Sequence, residues 1–514
     1  MWYLDDGTIA DDLDVVLADY KKILEAAESL GPPVNPNKCE LYRVNPESEE
    51  CKGALEKFCE MTEGVRLIEN HELTLLGAPI LPEAIEGVLV PKLDSLKLMV
   101  SRLEEIDKHD ALFLLRQCFA IPKMTYFFRT SPCFMKPEIL KSYDEVIKSA
   151  LTDIINLQFI DDKTWDQCTL PVKNGGLGIR SAEEVSLPAY LSSVQGSLGT
   201  THSLLPSRLI EEKNEYYENA CEEWFLKSGK EILPENPIYQ SSWDRPICEK
   251  KLEGLIENAD SDVDKARLKA ISSEGASNYL NALPLPSLGL KLSDAELPIV
   301  IALRLGATLC QPHQCICGKD VEPDGLHGLN CDKQIGRTPR HTEANVLIKR
   351  ALAQLEIPSI LEPHHLIDSE GRVPDGVTAF PFKQGKCLTW DFTCINTICD
   401  TFLFQCAKQA GQAAVGGEKR KKAHYDDKLL KNYIFVPIAV ETFGSWGPIG
   451  FKFIKDIGRK IQEKTGNKNA TSHILQGISM SVQRGNAHSI MGTLGPQRKL
   501  EDYFDILMPR EEKL

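Results

Sequence analysis

The sequence lacks the long apolar run that a membrane-spanning helix requires, since no stretch approaches ~20 consecutive apolar residues. Residues 1–6 contain neither a basic stretch nor an apolar stretch, which argues against a secretory signal peptide. Internal repeats and extended low-complexity tracts are also missing. These absences indicate an intracellular globular protein without a membrane partner. In that setting we expect the 16 cysteines to be buried thiols or metal ligands and not disulfides.

Charge is unevenly distributed along the 514 residues. The chain has 59 Lys and Arg against 74 Asp and Glu, a net charge of −15. Residues 1–300 contain 31 basic and 51 acidic residues, whereas residues 301–514 contain 28 and 23, so the balances are −20 and +5. The C-terminal part is therefore the better candidate for contact with nucleic acid. The length and the ordinary content of hydrophobic residues, 42%, favour about three globular domains.

The pattern of apolar residues predicts a mixture of helices and strands. An Asp-Gly step predicts a hairpin at the N-terminus, and a one-sided apolar pattern predicts a helix that Gly31 ends. Residues 84–160 are mostly helical by pattern, and residues 205–275 indicate charged helices or a mobile insert. Beyond residue 305, strands alternate with helices, which is typical of a small α/β domain. Its predicted strands span residues 373–380, 387–394 and 433–440, and its predicted helices span residues 342–355, 403–430 and 451–464.

Two adjacent carboxylates, Asp5 and Asp6, lie on the predicted N-terminal hairpin within the sequence YLDDG. Polymerases use paired acids on such a turn to hold Mg²⁺ against a nucleoside triphosphate. Taken alone, these few residues favour the alternative of a solvated Asp-Asp-Gly turn.

A compact group of cysteine and histidine residues begins near residue 315. Its spacing is C-x-C-x9-H-x3-C, and three thiolates with one imidazole make a closed tetrahedral Zn²⁺ site. The expected ligands are Cys315, Cys317, His327 and Cys331, with Cys310 and His313 as nearby alternates. Four ligands within 17 residues favour zinc over buried cysteines beside an incidental histidine. We expect the ion to be structural, with nucleic-acid contact as a secondary role.

Two acids and a run of lysines after this group predict a second catalytic site. Asp375 begins one predicted strand within Pro-Asp-Gly, and Asp391 lies in the next. If these strands pair, both carboxylates can converge on one Mg²⁺, which would polarise a phosphodiester and activate water. This is the logic of PD-(D/E)xK nucleases, although Thr393 stands where the usual lysine would be. The lysine must then come from the following helix, at residue 419, 421 or 422. The alternatives are an ordinary Pro-Asp-Gly turn and a solvated lysine face.

The N-terminal part resembles the reverse transcriptase of non-long-terminal-repeat retrotransposons from the YLDDG motif onward. The sequence NPNKCE at residues 35–40 is similar to the next palm motif, in which Lys38 would lie near the triphosphate. The sequence LLGAP at residues 75–79 is similar to the primer-grip turn, and residues 115–132 and 170–179 resemble the thumb. The fingers and the earlier palm strand, with its further metal-binding Asp, would lie upstream of Met1. We therefore expect no polymerisation from this chain alone. We also expect Met1 to be an internal methionine of a longer reading frame, whether the truncation is real or results from an error in the gene model.

Residues 300–495 resemble the restriction-enzyme-like endonuclease domain of the same retrotransposons. Besides the zinc pattern, the similarity is carried by GR at 336–337, RH at 340–341, Asn345, the Ala-rich segment with Glu418, residues 436–448 and residues 483–487. Alignment on Tyr425 places the family's catalytic lysine at Lys421, and Asp375 and Asp391 take the two acid positions. The resemblance implies substrate contacts from Lys422, Tyr425, Arg340 and His341, and Glu343 could join His341 at a metal or phosphate. Val373 and His424 replace basic residues of the family.

The resemblance implies an α+β multidomain protein with its parts in the family's order. These are a partial palm at 1–82, a helical thumb at 83–200, a helical linker at 201–304, a zinc knuckle at 305–335, an α/β nuclease at 336–495 and a tail at 496–514. The implied activity is Mg²⁺-dependent nicking of a DNA target, after which the 3′ hydroxyl primes reverse transcription of the element's RNA, in the nucleus. The alternatives are a non-catalytic nucleic-acid-binding remnant and a decayed fragment without function. The oligomeric state and the target sequence do not follow from the residues.

Overall fold

The structure, a computed structural model, describes most of the chain as a mixed α+β fold in which helices predominate. It describes residues 2–3, 6–31, 34–44, 55, 58, 60, 64–157, 160–204, 214–363, 366, 373–429 and 433–494, and the side chains of these except 2–3 and 426–429. Within these residues no helix is both long and apolar enough to cross a membrane.

The strands are short except for the two at the centre of the C-terminal sheet. They are β1 (Trp2–Tyr3), β2 (Asp6–Gly7), β3 (Glu40–Tyr42), β4 (Arg66–Ile68), β5 (Thr74–Leu75), β6 (Ala78–Pro79), β7 (His313–Gln314), β8 (Asp320–Val321), β9 (Ser359–Leu361), β10 (Gly376–Thr378), β11 (Cys387–Ile395) and β12 (Tyr433–Glu441).

Helices fill most of the space between them. They are α1 (Leu13–Leu30), α2 (Ile85–Leu103), α3 (Lys108–Leu114), α4 (Ile121–Thr130), α5 (Pro137–Ile155), α6 (Asp162–Thr169), α7 (Ala182–Leu204), α8 (Glu215–Ser228), α9 (Gln240–Glu257), α10 (Asp262–Ile271), α11 (Glu296–Leu305), α12 (His327–Asn330), α13 (Arg337–Gln354), α14 (Leu403–Lys408), α15 (Gln412–Leu429), α16 (Pro448–Thr465) and α17 (Ala470–Met491).

The C-terminal sheet has the strand order β12-β11-β10-β9. Its central pair, β11 and β12, is parallel over nine residues, and β10 runs antiparallel to both β11 and β9. Side chains alternate between the two faces of a strand. Trp390 and Phe392 enter one core with α13, α16 and α17, while Asp391 between them points to the face that α15 covers. The face toward α13, α16 and α17 is therefore mainly apolar, and the opposite face carries Asp391.

A single hydrophobic core runs from α2 through the helices of the middle region to residues 309–331 and α17. Three buried arginines satisfy backbone carbonyls inside it. Arg304 donates to Gly176 O at 2.9 Å, Arg116 donates to Leu280 O at 2.5 Å, and Arg267 also donates to the carbonyl of Arg304. Because a buried guanidinium must have partners, these bonds fix the loop near residue 176 against residues 277–304. Residues on both sides of the predicted boundary between 304 and 305 belong to this one core.

Several predicted elements agree with the structure and others differ in their bounds. The N-terminal hairpin forms, with Tyr3 opposite Asp6, and the turn predicted near residues 73–79 is the hairpin β5–β6. Residues 214–271 form α8, α9 and α10. The single helix predicted over 403–430 is instead two helices, α14 and α15, because residues 409–411 form an extended turn between them. The strand predicted over 373–380 is only three residues long, since the chain bends after Thr378.

Candidate functional site

The two acids predicted to converge lie on neighbouring strands of the C-terminal sheet. Gly376 pairs with Trp390 across β10 and β11, so the preceding Asp375 lies beside the following Asp391. The side chain of Asp375 is largely buried and that of Asp391 almost wholly buried, with 12% and 3% exposed. Phe392 N donates to Asp375 Oδ2 at 2.6 Å, which fixes this carboxylate against β11.

Close packing of Gly376 against Trp390 sets the register of these strands. A Cβ added to Gly376 would lie 2.5 Å from Trp390 Cε2 and closer still to two other ring carbons. The fully buried indole is itself held, because its Nε1 donates to Asn345 Oδ1 of α13 at 3.0 Å. The glycine of the Pro-Asp-Gly motif is therefore required by packing, and it allows the adjacent carboxylate to approach β11.

Helix α15 presents a lysine and a tyrosine to Asp391. Lys421 Nζ lies 2.7 Å from Asp391 Oδ1, and the Tyr425 hydroxyl donates to Asp391 Oδ2 at 2.9 Å. Residues four apart share one face of a helix, so the spacing of Lys421 and Tyr425 allows both to reach the same carboxylate. Tyr425 is buried against Phe435 of β12, with ring centroids 4.7 Å apart, whereas Lys421 is partly exposed.

His341 of α13 approaches the site from the side opposite α15. Its Nε2 lies 3.0 Å from Asp375 Oδ2, and 39% of its side chain is exposed. The hydrogen bond to Asp375 raises the pKa of His341 above its ordinary value. His341 and Lys421 thus flank the two acids at the solvent-facing opening of the site.

The proximity of the two acids perturbs their ionisation. Burial, and then repulsion from the Asp375 carboxylate, raises the pKa of Asp391, while Lys421 and the Tyr425 hydroxyl act in the opposite direction. A buried carboxylate beside a second carboxylate is stabilised by a bound cation. The donor set is oxygen-rich and contains no thiolate, so it fits a hard ion such as Mg²⁺.

Cys315, Cys317, His327 and Cys331 form a second cluster, in which the candidate ligand atoms all lie within 4.8 Å of one another. Cys315 Sγ is 3.6 Å from Cys331 Sγ, and Cys317 Sγ is 3.2 Å from His327 Nε2. The backbone N–H of Lys319 lowers the pKa of Cys317, which favours the thiolate that binds metal. The four residues can hold a zinc ion, as their spacing predicts.

The cysteine–histidine cluster packs against the end of α17 and the end of β11 and does not stand apart from them. Ile316 N donates to Thr493 O at 3.1 Å, and Gly328 packs directly on the backbone of Ile490 at the end of α17. Next to the ligand Cys331, the side chain of Asn330 accepts a hydrogen bond of 2.7 Å from Asn396, just after β11. The metal-binding turn therefore abuts the strand that carries Asp391.

Other residues predicted to act in this site have different positions. Arg340 is buried and donates to Asn486 Oδ1 of α17 at 2.9 Å, so its guanidinium faces the interior and not a substrate. Tyr425 is likewise buried, and its hydroxyl orients Asp391. Lys422 is exposed on α15, as a substrate contact requires. Glu343 pairs with Arg484 at 3.1 Å and not with His341.

The alternate metal ligands lie outside the four-residue cluster, and the structure describes only some of the predicted polymerase residues. His313 bonds to Thr493 Oγ1, and the Cys310 thiol donates to Glu322 O at 3.4 Å, so neither joins the four-ligand cluster. Lys38 is exposed on the turn before β3. Asp6 is exposed on β2, whereas Asp5 lies outside the described residues, so the geometry of the predicted polymerase acids is not defined.

One functional contact was missed by sequence reasoning. Asn345, recognised only as a family match, holds Trp390 and thereby the register of the two acidic strands. In the sequence, Asn345 is a polar residue four positions after His341, and both residues lie on α13. The structure shows that the position of Asn345 is buried. A scan against protein-family models finds no match to the chain, and a search of curated proteins finds no significant match.

Proposed function

We propose that this protein is a Mg²⁺-dependent endonuclease that nicks one strand of DNA, and that it derives from a non-long-terminal-repeat retrotransposon. The observation that carries the proposal is the convergence of Asp375, Asp391 and Lys421 at one partly open position of the sheet. Asp375 precedes β10, Asp391 lies in β11 and Lys421 lies in α15. Nothing in these three local structures by itself requires the groups to meet. Two structural pairs, Lys421 with Asp391 and His341 with Asp375, would account for each contact separately, but not for the placement of two carboxylates side by side.

The roles of the residues follow from their contacts. Asp375 and Asp391 would hold Mg²⁺, which supplies charge for the scissile phosphate and lowers the pKa of the attacking water. Lys421, already 2.7 Å from Asp391, can donate to a phosphate oxygen or to the water at the same place. Tyr425 is a positioning residue, because its hydroxyl fixes one oxygen of Asp391. His341 offers a partly exposed cation that can contact the adjacent phosphate.

The remaining parts of the proposal concern the partners. We propose that the resident ion of the cysteine–histidine cluster is Zn²⁺ and that its task is structural. The nicked DNA would present a 3′ hydroxyl to prime copying of the element's RNA, which places the protein in the nucleus. This second step requires polymerase residues beyond those that the described part of the chain contains.

The test is nicking of supercoiled plasmid by the purified full chain, with and without Mg²⁺. We expect nicking only with Mg²⁺ and a loss of at least ~100-fold in Asp375→Asn and in Asp391→Asn, since each removes a metal ligand. Lys419→Gln is the matched control, because Lys419 is an exposed lysine two residues from Lys421 that makes no ion pair within the described residues. Equal nicking by wild type and both Asn variants would refute the assignment.

The second candidate is a nucleic-acid-binding protein without nuclease activity. Val373 and His424, which replace basic residues of the resembled family, favour it, because both flank the site. Salt-dependent DNA binding by zinc-loaded protein that never nicks, at any Mg²⁺ concentration, would establish this alternative.

A further inference from the structure

The connection between β10 and β11 ends in a tight, basic hairpin tip that no step above uses. Its residues 379–387 read AFPFKQGKC and contain no acid. Gln384 and Gly385 both have positive φ, 52° and 72°, and Lys386 N donates to Lys383 O at 3.0 Å. Two central residues of positive φ define a type I′ turn, whose twist matches that of the strands. The tip is thus a preorganised turn that holds Lys383 and Lys386 opposite each other.

Helix α16 adds a third lysine to this tip. Phe382 packs against Phe453 of α16, with ring centroids 6.5 Å apart, and Lys460 Nζ lies 4.7 Å from the Phe382 ring centroid. Within the described residues neither Lys383 nor Lys460 forms an ion pair, whereas Lys464, one turn after Lys460, is paired with Glu356 at 3.1 Å. Three lysines therefore lie in or beside this acid-free segment, in a chain whose net charge is −15.

An exposed aromatic ring accompanies these lysines. Phe380 is 65% exposed, two residues before the ring that anchors the tip. Burying a phenylalanine would stabilise the fold, so its exposure costs free energy that a bound partner can recover. Lysines beside an exposed aromatic ring suit nucleic acid, since ammonium groups bind phosphates and the ring contacts a sugar or base.

We propose that this tip, formed by Phe380, Lys383, Lys386 and Lys460, binds the DNA that enters the Asp375–Asp391 site. The inference rests on the proposed function, because it takes its substrate from that site. Phe380 is five residues from Asp375, so the two lie at most ~18 Å apart along the chain. At 3.4 Å per base pair, Phe380 therefore lies within about five base pairs of the cleaved bond.

The test compares Lys383→Gln/Lys460→Gln with wild type in binding a fluorescein-labelled 30-base-pair DNA duplex, with Ca²⁺ in place of Mg²⁺. Loss of two phosphate contacts should reduce the slope of log K against log [salt] by about 1.8. Phe380→Ala should weaken binding at every salt concentration and leave the slope unchanged. In plasmid nicking, the double variant should raise KM and leave kcat unaltered. The control is Lys21→Gln/Lys22→Gln, which removes the same charge from exposed positions of α1.

The outcomes separate this inference from the proposed function. Nicking by wild type with an unchanged slope in the double variant would overturn the inference and leave the nuclease intact. A reduced slope in protein that never nicks would support the binding surface and refute the nuclease. A loss of affinity for an RNA duplex but not for DNA would also overturn the inference, because the tip would then serve RNA.

Discussion

Substitution of Gly376 by alanine tests whether packing on Trp390 sets the distance between the two acids. The new methyl group would overlap three carbons of the indole ring, and the ring cannot turn without breaking its hydrogen bond to Asn345. Overpacking of a core costs ~1–3 kcal/mol, and the lost hydrogen bond costs ~0.5–1.5 kcal/mol. Alanine also lowers the conformational entropy of the unfolded chain, which stabilises the folded state by ~0.4–1 kcal/mol. We therefore expect β10 and β11 to lose about 0.5–4 kcal/mol of local stability.

The same change should impair nicking more than stability, because Asp375 and Asp391 each adjoin one of the clashing residues. A displacement of ~1 Å in a catalytic group can cost ~100-fold in rate. Hydrogen–deuterium exchange of β11 amides measures the stability, and plasmid nicking measures the activity. Gly254→Ala is the control, since no atom lies within 4 Å of the added methyl on α9. Wild-type amide protection and wild-type nicking in Gly376→Ala would refute the packing argument.

Three further predictions concern the tyrosine, the metal and the buried arginines. Tyr425→Phe removes a donor from the Asp391 carboxylate and raises its pKa further; since metal binding needs the ionised acid, the acidic limb of the nicking profile should move to higher pH, and an unmoved limb would contradict this role. Cys317→Ser should abolish binding of one zinc per chain, measured by atomic absorption, and should reduce amide protection at the end of β11; full protection without zinc would show that the metal does not support the strand. Arg304→Met leaves buried carbonyls unpaired and should destabilise the chain by ~3 kcal/mol in urea unfolding, against no change in the exposed control Arg102→Met.

The metal ligands and the strand pair could be predicted from the sequence because their signals are local. Four ligands within a short turn have few ways to be arranged, and alternating apolar residues on both sides of Asp391 predict a buried strand. A Pro-Asp-Gly segment before it then predicts an acid at the neighbouring strand. The choice of Lys421 came from alignment on Tyr425 with the resembled family and stays a prediction. In the structure both residues lie on one face of α15 and contact Asp391.

The remaining features depend on contacts between distant parts of the chain. Arg340 and Asn486 are 146 residues apart, so nothing near Arg340 shows that its guanidinium is buried. Likewise, the charged composition of residues 205–275 indicates helices but does not show that Arg267, which lies on α10, is buried. Tertiary packing decided both of these cases. The break between α14 and α15 is local instead, because Gly411, with a φ of 81°, lies between the two helices.

The continuous core has a consequence for how this protein can be divided. Residues 277–281 and helix α11 pack on α17, and Tyr279 N donates to Ser479 Oγ at 3.2 Å, so residues before the zinc cluster cover an apolar surface of the region after it. A protein fragment that starts at residue 305 would expose that surface to water and would aggregate. Proteases should consequently cut exposed loops without releasing a soluble C-terminal fragment. Insertions or deletions in the middle region should leave the C-terminal part folded only where they preserve this interface.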